Sequence, residues 1–322
     1  MFKIGNVIVD GKVVLGPMAG YTSVGYRKYM KKFGVSLSFT EMVSDMGLIY
    51  GNIETFSYLL TDEHEGPLGL QLFGFDAENL QKAARIAEEN CKYFDFFDIN
   101  VGCPVPKVTK TGAGSALMKT PEKIGEIIRA IKAVSNKPVS IKIRLGWDNS
   151  NLNYLEVIKI AEEAGVDLIS IHARAAKEYY NGEPHFELLK DLREKMSVPL
   201  VISGNIFSLD DAINALEVTK ADAVMVARGS IGNPFLIRQI DEYLRSGTRL
   251  SDPTLEEQKQ YCLELARSII EEKGEFMGMR LYRSIAPKFF SGFANSKALR
   301  KELAMNLSTY EYLEKVLADF KG

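Results

Sequence analysis

Residues 139–144 read Val-Ser-Ile-Lys-Ile-Arg, a run in which polar and apolar side chains alternate. Successive side chains of a β-strand point to opposite faces, so Ile141 and Ile143 share one face while Lys142 and Arg144 share the other. When the isoleucines pack against helices, Lys142 points into the interior of a closed sheet. The run therefore predicts a buried strand with a cation on its inner face.

The chain contains eight short runs rich in Val, Ile, Leu and Phe, which predict strands buried on both faces. They are Val13–Leu15, Leu37–Phe39, Leu68–Phe73, Phe96–Ile99, Val139–Ile143, Leu168–Ile171, Pro199–Ile202 and Ala223–Val226. Helix-like stretches separate most of them, at Ala77–Glu89, Pro121–Val134, Leu152–Glu163 and Ser208–Glu217. Eight strands with crossovers over about 230 residues predict an α/β fold, a (β/α)8 TIM barrel. The alternative is a doubly wound open sheet.

The chain divides into two predicted domains. An N-terminal hairpin is expected to pair Val7–Val9 with Lys12–Val14 around the turn Asp10-Gly11. No strand-like run occurs after about Leu244. Helical patterns follow at Leu255–Lys273, Met279–Phe293 and Ser308–Phe320. We therefore predict a barrel domain with its hairpin over residues 1–244 and a smaller all-helical domain over residues 245–322.

Composition excludes several classes of protein. The 322 residues are 46% hydrophobic and 25% charged, values typical of a globular protein with a large core. The net charge of −2 excludes a bulk polycation that coats nucleic acid, although a local basic patch remains compatible. Three scattered cysteines are too few for a disulfide framework or a zinc site, so we expect a reduced, cytoplasmic protein without a metal. The sequence shows no signal-peptide pattern and no apolar run of about 18 residues, so we expect no membrane contact.

In a barrel, the active site lies at the C-terminal ends of the strands. The residues near these ends include a set of polar and cationic side chains: Gln71, Asn100, Cys103, Lys142, Arg144, His172, Arg174, Ser203, Asn205 and Arg228. The last two loops also carry Gly204 and Gly229, whose close backbone approach beside Arg228 predicts a phosphate site. The alternative for each glycine is a plain turn.

Three of these side chains admit more than one interpretation. Lys142 is either solvated or placed beside an aromatic cofactor whose reduced ring it would stabilise. His172 is either a core histidine or a ligand contact. Cys103 is a small buried hydrophobe, a general acid that is protonated at pH 7, or a nucleophile, for which no His-Asp partner pattern is visible.

A glycine-rich segment follows Cys103. Gly112-Ala113-Gly114-Ser115 is similar to a dinucleotide-binding loop only superficially, because it follows no strand and Leu117 occupies the third glycine position. We interpret the segment as a mobile loop over the active site.

Residues 100–118 resemble the signature of the tRNA-dihydrouridine synthases. Asn100-Val101-Gly102-Cys103-Pro104 is followed by Lys107 and by Gly112-Ala113-Gly114-Ser115-Ala116-Leu117-Met118. Further motifs of that family occur in order: Pro17-Met18-Ala19-Gly20, Thr40-Glu41-Met42, Gln71-Leu72-Phe73-Gly74, Lys142-Ile143-Arg144-Leu145-Gly146, His172-Ala173-Arg174, Gly204-Asn205-Ile206 and Ala227-Arg228-Gly229. The resemblance covers most of residues 13–240. Two segments depart from it, since Ser203-Gly204-Asn205 and Ala227-Arg228-Gly229 stand where the family often has Asn-Gly-Asp and Gly-Arg-Gly.

The resemblance implies an FMN-dependent TIM-barrel enzyme that reduces the C5=C6 bond of selected tRNA uridines, with NADPH or NADH as the reductant. The implied flavin contacts are Pro17, Met18, Ala19, Gln71, Lys142, His172, Ser203, Gly204, Asn205, Arg228 and Gly229. Cys103 is implied as the acid that protonates C5 after hydride reaches C6, and Asn100 and Arg174 as substrate contacts. Because a stacked base cannot reach a barrel mouth, the uridine has to be extruded from the folded RNA.

The helical tail favours an RNA partner. No acidic residue occurs between Glu275 and Glu302, and the tail carries Arg280, Arg283, Lys288, Lys297, Arg300 and Lys301. Such a local basic surface is suited to phosphates. Two alternatives are an FMN barrel that acts on a small pyrimidine, of the dihydroorotate dehydrogenase type, and a non-catalytic RNA-binding barrel. The basic tail argues against the first, and the retained set Cys103, Lys142, His172 and Arg228 argues against the second.

Overall fold

A computed structural model describes residues 1–322 and shows a closed parallel barrel. The strands are β1 (Phe2–Ile4), β2 (Val7–Val9), β3 (Val13–Leu15), β4 (Leu37–Phe39), β5 (Val43–Ser44), β6 (Leu68–Phe73), β7 (Phe96–Val101), β8 (Val139–Arg144), β9 (Leu168–His172), β10 (Leu200–Ser203) and β11 (Ala223–Val226). The pairings β3–β11 and β4–β6 close the ring. The second barrel strand is interrupted, because β4 and β5 both pair with β6. The predicted barrel is confirmed, and the open sheet is excluded.

The N-terminal hairpin differs from the predicted one. β1 pairs antiparallel with β2, with Phe2 opposite Val9, and the turn contains Gly5 at a φ of 56°. The predicted pairing of Val7–Val9 with Lys12–Val14 is wrong, because β3 lies between β4 and β11 as the first barrel strand. Two parallel neighbours bury β3 completely, which an antiparallel hairpin at the edge of the molecule would not do.

The barrel interior changes character along its axis. Phe2, Ile4 and Val9 of the hairpin close the N-terminal end and share one buried apolar cluster with the inward residues of the strands: Val14, Leu37, Phe39, Phe96, Leu168, Val201, Ala223 and Met225. Further toward the C-terminal ends, the residues on the same faces are polar: Gln71, Asp98, Asn100, Ser140, Lys142, Ser170 and His172. The apolar plug therefore confines chemistry to the C-terminal half of the barrel.

Helices cover the outside of the barrel. Ile141 and Ile143 face these helices and belong to the same apolar core, as predicted. The helices are α1 (Val24–Lys31), α2 (Asp45–Ile49), α3 (Ile53–Ser57), α4 (Ala77–Asn90), α5 (Pro106–Thr109), α6 (Pro121–Lys132), α7 (Tyr154–Glu163), α8 (Leu209–Thr219) and α9 (Phe235–Ser246). Between β9 and β10 the crossover contains no α-helix and is built from short 3-10 turns at Ala176–Glu178, Phe186–Leu189 and Arg193–Lys195.

Four helices form the C-terminal part: α10 (Leu255–Lys273), α11 (Glu275–Tyr282), α12 (Ser296–Met305) and α13 (Tyr310–Asp319). The predicted helix Met279–Phe293 is wrong, since α11 ends at Tyr282 and a 3-10 turn follows at Ala286–Phe290. Pro287 explains the break, because proline lacks an N–H and disfavours helical geometry in the residue before it. The sequence analysis also missed α12.

The C-terminal helices are fixed firmly to the barrel. The Glu272 carboxylate of α10 accepts hydrogen bonds from the Ser23 hydroxyl at 2.6 Å and from the Gly25 N–H at 2.7 Å, both at the start of α1. A Cβ at Gly25 would collide with the Ser268 carbonyl, so the two helices touch through their backbones. α9 runs past the predicted boundary at residue 244 and ends at Ser246. No helix combines the length and apolar character needed to cross a membrane.

Candidate active site

A cavity of about 330 Å³ opens at the C-terminal ends of the strands. Most of the predicted site residues line it: Pro17, Met18, Ala19, Asn100, Cys103, Lys142, His172, Ser203, Gly204, Asn205, Arg228 and Gly229. Arg144 and Tyr180 also contribute to the wall, whereas no Asp or Glu does. A cavity with three Lys or Arg side chains and no carboxylate is suited to an anionic ligand.

Cys103 lies on the cavity wall, at the turn that follows β7. The Asn100 side-chain oxygen accepts the N–H groups of Cys103 at 2.9 Å and of Gly102 at 3.2 Å. The Cys103 carbonyl accepts the N–H of Ser115 at 3.0 Å. Burial raises the pKa of the Cys103 thiol above its ordinary value of 9.0, while Arg144 and Lys142 oppose that rise. The thiol is therefore protonated at neutral pH and suited to give up a proton rather than to attack.

Gln71, a predicted cofactor contact, lies behind the wall and is fully buried. Its amide nitrogen donates to Asp98 at 2.6 Å, and its amide oxygen accepts from Asn100 at 2.8 Å. Asp98 therefore fixes the orientation of both amides and, through Asn100, of the turn that holds Cys103. The sequence analysis did not select Asp98, although a lone carboxylate within the apolar run of β7 was the available signal.

The charge states of the buried groups follow from their surroundings. Burial raises the pKa of Asp98 to about 6, against hydrogen bonds from Ser140 and Gln71. Burial and the neighbouring Arg144 lower the pKa of Lys142 to about 8, and the ammonium makes no hydrogen bond or ion pair with the protein. Burial and the surrounding cations hold the pKa of His172 well below 6.5, so this imidazole is neutral at pH 7.

Arg174, a predicted substrate contact, also lies behind the wall and is fully buried. Its guanidinium donates to the carbonyls of Asn181 and Gly182 and lies 3.2 Å from the His172 Nε2. Arg144 similarly donates to the carbonyls of Gly102, Ala175 and Tyr179. The two arginines thus hold the loop after β9 by its backbone, a role that no local sequence pattern indicates.

The same loop places an aromatic ring beside the predicted phosphate site. The guanidinium of Arg228 lies 4.1 Å from the centre of the Tyr180 ring and 5.3 Å from that of Phe207. Arg228 also donates to the Asn205 side-chain oxygen at 3.2 Å. A Cβ at Gly229 would collide with the Ile206 carbonyl, so only glycine allows the last two strand ends to approach this closely.

The residues present fit a flavin mononucleotide. An isoalloxazine ring needs an apolar surface, which Pro17, Met18 and Ala19 provide, and hydrogen-bonding groups at its edge. A phosphate needs a cation and backbone N–H groups, which Arg228 and the glycine-containing turns provide at the ends of the neighbouring strands β10 and β11. The absence of a carboxylate from the wall removes the repulsion that a phosphate would otherwise meet.

A family model described as dihydrouridine synthase matches residues 14–321. Among curated relatives, a probable tRNA-dihydrouridine synthase of Rickettsia bellii is 32% identical, over 93% of this chain and 92% of its own length. The tRNA-dihydrouridine synthase B of Pasteurella multocida is 32% identical, over 93% and 90% of the two chains. That of Pseudomonas putida is 34% identical, over 87% and 83%.

Solved structures support the fold alone. Histamine dehydrogenase from Rhizobium sp. 4-9 superposes with a TM-score of 0.54 at 17% identity, over 74% of this chain and 47% of its own. A 2-naphthoyl-CoA reductase superposes with a TM-score of 0.57 at 12% identity, over 74% and 51%.

Proposed function

The chain belongs to the dihydrouridine synthase family, and on that premise we propose that Cys103 is the acid that completes the reduction of a tRNA uridine in the cavity. The protein is accordingly an oxidoreductase that converts uridines of tRNA to dihydrouridine and uses a flavin. The observation that carries the proposal is the position of the Cys103 thiol on the wall of a cavity with three Lys or Arg side chains and no carboxylate, with its turn held by Asn100. Family membership favours tRNA over the small-pyrimidine alternative.

We assign the cofactor as FMN and the reductant as NADPH, with NADH as the alternative. Pro17, Met18 and Ala19 would lie along the ring, with Lys142 and His172 at its edge. The phosphate would be held by Arg228 together with Ser203, Gly204, Asn205 and Gly229. When bound, the flavin supplies hydride to C6 of the uracil. Gln71 reaches this site only indirectly in the structure, through Asn100.

The residues of this chain supply the proton. Addition of hydride to C6 leaves enolate-like charge at C5 and O4, so C5 requires a proton from a nearby acid. The Cys103 Sγ holds that proton at neutral pH because burial raises its pKa. Arg144 and Lys142 stabilise the thiolate that remains, and the partly exposed thiol recovers its proton from solvent.

Substrate contacts are proposed at Asn100 and Arg174. Asn100 lines the cavity beside Cys103, whereas Arg174 reaches a substrate only if the loop at Asn181 and Gly182 releases its guanidinium. We also propose that residues 245–322 bind tRNA through their basic side chains and that the protein is cytoplasmic.

The test is dihydrouridine content, position by position, in tRNA from cells that lack the chain and from cells complemented with variants. We expect loss at defined positions, restored by the wild type but not by Cys103→Ala. Removal of a general acid lowers the rate by about 10²–10⁴-fold. Purified Cys103→Ala should retain its flavin, and its reduced form should persist when tRNA is added.

Cys91→Ala is the matched control, because Cys91 is a buried cysteine at the C-terminal end of α4, close to the opposite end of the barrel. This variant should restore dihydrouridine fully. Unchanged dihydrouridine on deletion, in cells with no second enzyme of this type, would refute the assignment. Full complementation by Cys103→Ala would refute the role of Cys103 and leave the activity intact. Oxidation of NADPH and NADH by the holoenzyme decides the reductant.

A further inference from the structure

The segment that carries Cys103 is also free of acidic residues. No Asp or Glu occurs between Asp98 and Glu122, whereas Lys107, Lys110 and Lys119 do. The protein as a whole carries slightly more acidic than basic residues, 42 against 40. This stretch is thus a local concentration of positive charge within a chain of net negative charge.

The lysines of this segment lack acidic partners. Lys107 and Lys110 are exposed and form no ion pair, although many other lysines do, such as the pairs Lys28–Asp62 at 2.8 Å and Lys132–Asp167 at 2.7 Å. An unpaired surface lysine keeps its charge available to an anion from outside the protein. We call the exposed surface formed by Lys107 and Lys110 together with Phe75 the lysine rim.

The lysine rim packs against the turn that holds Cys103. A Cβ at Gly114 would collide with the Cys103 carbonyl and the Val108 side chain, so the segment packs closely beneath that turn. Gly112 packs in the same way against the ring of Phe75, which is 37% exposed. Positive charge and an exposed aromatic ring therefore lie beside the mouth of the cavity.

Two further lysines and one further aromatic ring extend this surface. The ammonium of Lys123 lies 5.5 Å from the centre of the Phe75 ring, and that of Lys119 lies 3.5 Å from the centre of the Trp147 ring. Alternating cations and aromatic rings suit a single-stranded or unstacked nucleic acid, since the cations meet phosphates and the rings meet bases.

The barrel topology places the lysine rim across the mouth from the helical tail. The rim follows β7, and β7 lies opposite β11 in a ring of eight strand positions. The tail contacts the barrel after β11, where a Cβ at Gly232 would collide with the backbone of Lys288. It also packs on α1, which follows β3, the neighbour of β11.

We propose that the lysine rim is a second contact surface for the phosphate backbone of tRNA, on the opposite side of the cavity mouth from the tail. The proposal rests on the proposed function, since the ligand is the same RNA. A nucleotide that enters the cavity leaves the RNA strand continuing on both sides of it. The tail holds one side of the strand, and the lysine rim holds the other.

The test compares the tRNA affinity of the flavin-loaded wild type and of Lys107→Ala/Lys110→Ala over a range of salt concentrations. The affinity for tRNA falls as salt rises. Each lost phosphate contact makes the slope of log affinity against log salt shallower by about 0.7–0.9, so the loss of two contacts makes it shallower by roughly 1.6. At about 0.1 M salt the affinity should fall roughly 40-fold, and the difference should vanish toward about 1 M. In steady-state reduction, KM for tRNA should rise by a similar factor while kcat is retained, as expected when binding is lost equally in ground state and transition state.

Lys3→Ala/Lys12→Ala is the matched control, because both lysines are exposed, form no ion pair and lie at the closed end of the barrel. It removes the same charge and should leave affinity and slope at wild-type values. If both double variants lose the same affinity, or if Lys107→Ala/Lys110→Ala retains the wild-type slope, the lysine rim is not a contact surface. If the wild-type protein still reduces tRNA uridine in that case, the proposed function stands and only the lysine rim is refuted. A wild type that neither binds nor reduces tRNA overturns both.

Discussion

The unpartnered ammonium of Lys142 should make the flavin-free protein less stable at neutral pH than at alkaline pH. Burial and Arg144 lower the pKa of Lys142 from 10.5 to about 8. A group whose pKa is depressed by folding opposes folding below that pKa, and the opposition declines as the pH rises toward the value of the unfolded chain. Lys142→Met removes the charge and keeps a side chain of similar length.

The magnitude follows from the pKa values. One pH unit corresponds to 1.36 kcal/mol, so the lowered pKa of Lys142 costs about 3 kcal/mol at pH 7, where the folded-state lysine is still mostly protonated. At about pH 9.5, Lys142 is neutral in the folded protein but still charged in the unfolded chain. About 1.4 kcal/mol of the destabilisation therefore remains at that pH. Lys142→Met should therefore stabilise the protein by about 2 kcal/mol more at pH 7 than at pH 9.5, and somewhat less where water reaches the ammonium.

The assay is urea unfolding of the flavin-free wild type and variant at both pH values, followed by circular dichroism. The comparison of the two pH values removes the contribution of packing, because the replacement of lysine by methionine changes contacts equally at both. A difference between variant and wild type that is the same at pH 7 and pH 9.5 would refute the reasoning. The variant should also lose uridine reduction, since Lys142 lines the cavity.

Three further predictions concern the acid Cys103, the contact between α10 and α1, and the backbone at Gly232. The rate of uridine reduction in a single turnover should fall above about pH 9, because the pKa of Cys103 is raised above 9.0 and the acid has to be protonated. Glu272→Ala should lower the free energy of unfolding by about 2 kcal/mol at pH 7. This loss should shrink as the pH falls, because hydrogen bonds hold the pKa of Glu272 below 4.5 and the wild type loses the same interaction when the carboxylate is protonated. Gly232→Ala should cost more than about 2 kcal/mol in urea unfolding, since its Cβ meets the backbone of the tail, whereas Gly247→Ala, also at positive φ but in open space, should cost about 1 kcal/mol.

Each of these predictions has a contrary outcome. A rate that declines steadily from pH 6 to pH 8 would assign the proton to a group other than a buried thiol. A Glu272→Ala loss of equal size at pH 7 and pH 4 would show that the carboxylate charge contributes nothing to the contact between α10 and α1. Equal losses for the two glycine variants would show that strain of the backbone, not the contact with the tail, dominates at Gly232.

Local patterns predicted the elements whose surroundings are simple. The alternation in residues 139–144 placed Lys142 inside the barrel, because the side-chain period of a strand does not depend on what its neighbours are. The helical pattern of Ser208–Glu217 similarly predicted α8, which begins at Leu209 with the Ser208 hydroxyl accepting the Asp211 N–H at 3.1 Å. The pairing of the hairpin could not be predicted in this way. Val7–Val9 has turn residues on both sides, so it could pair with the strand before it or with the strand after it. Only the burial of β3 between parallel neighbours decides that it pairs with β1.

The sequence by itself determined the order of the strands, the positions of Cys103 and of the cationic residues near their C-terminal ends, and the family. These follow from periodicity and from short motifs, which are properties of neighbouring residues. Only the tertiary structure decided that Gln71 and Arg174 lie behind the cavity wall and that Asp98 orients Asn100. The physical reason is that a buried polar group is oriented by the partner that satisfies it. For these side chains that partner comes from another strand or from a loop that folds back, and it has no fixed distance along the chain.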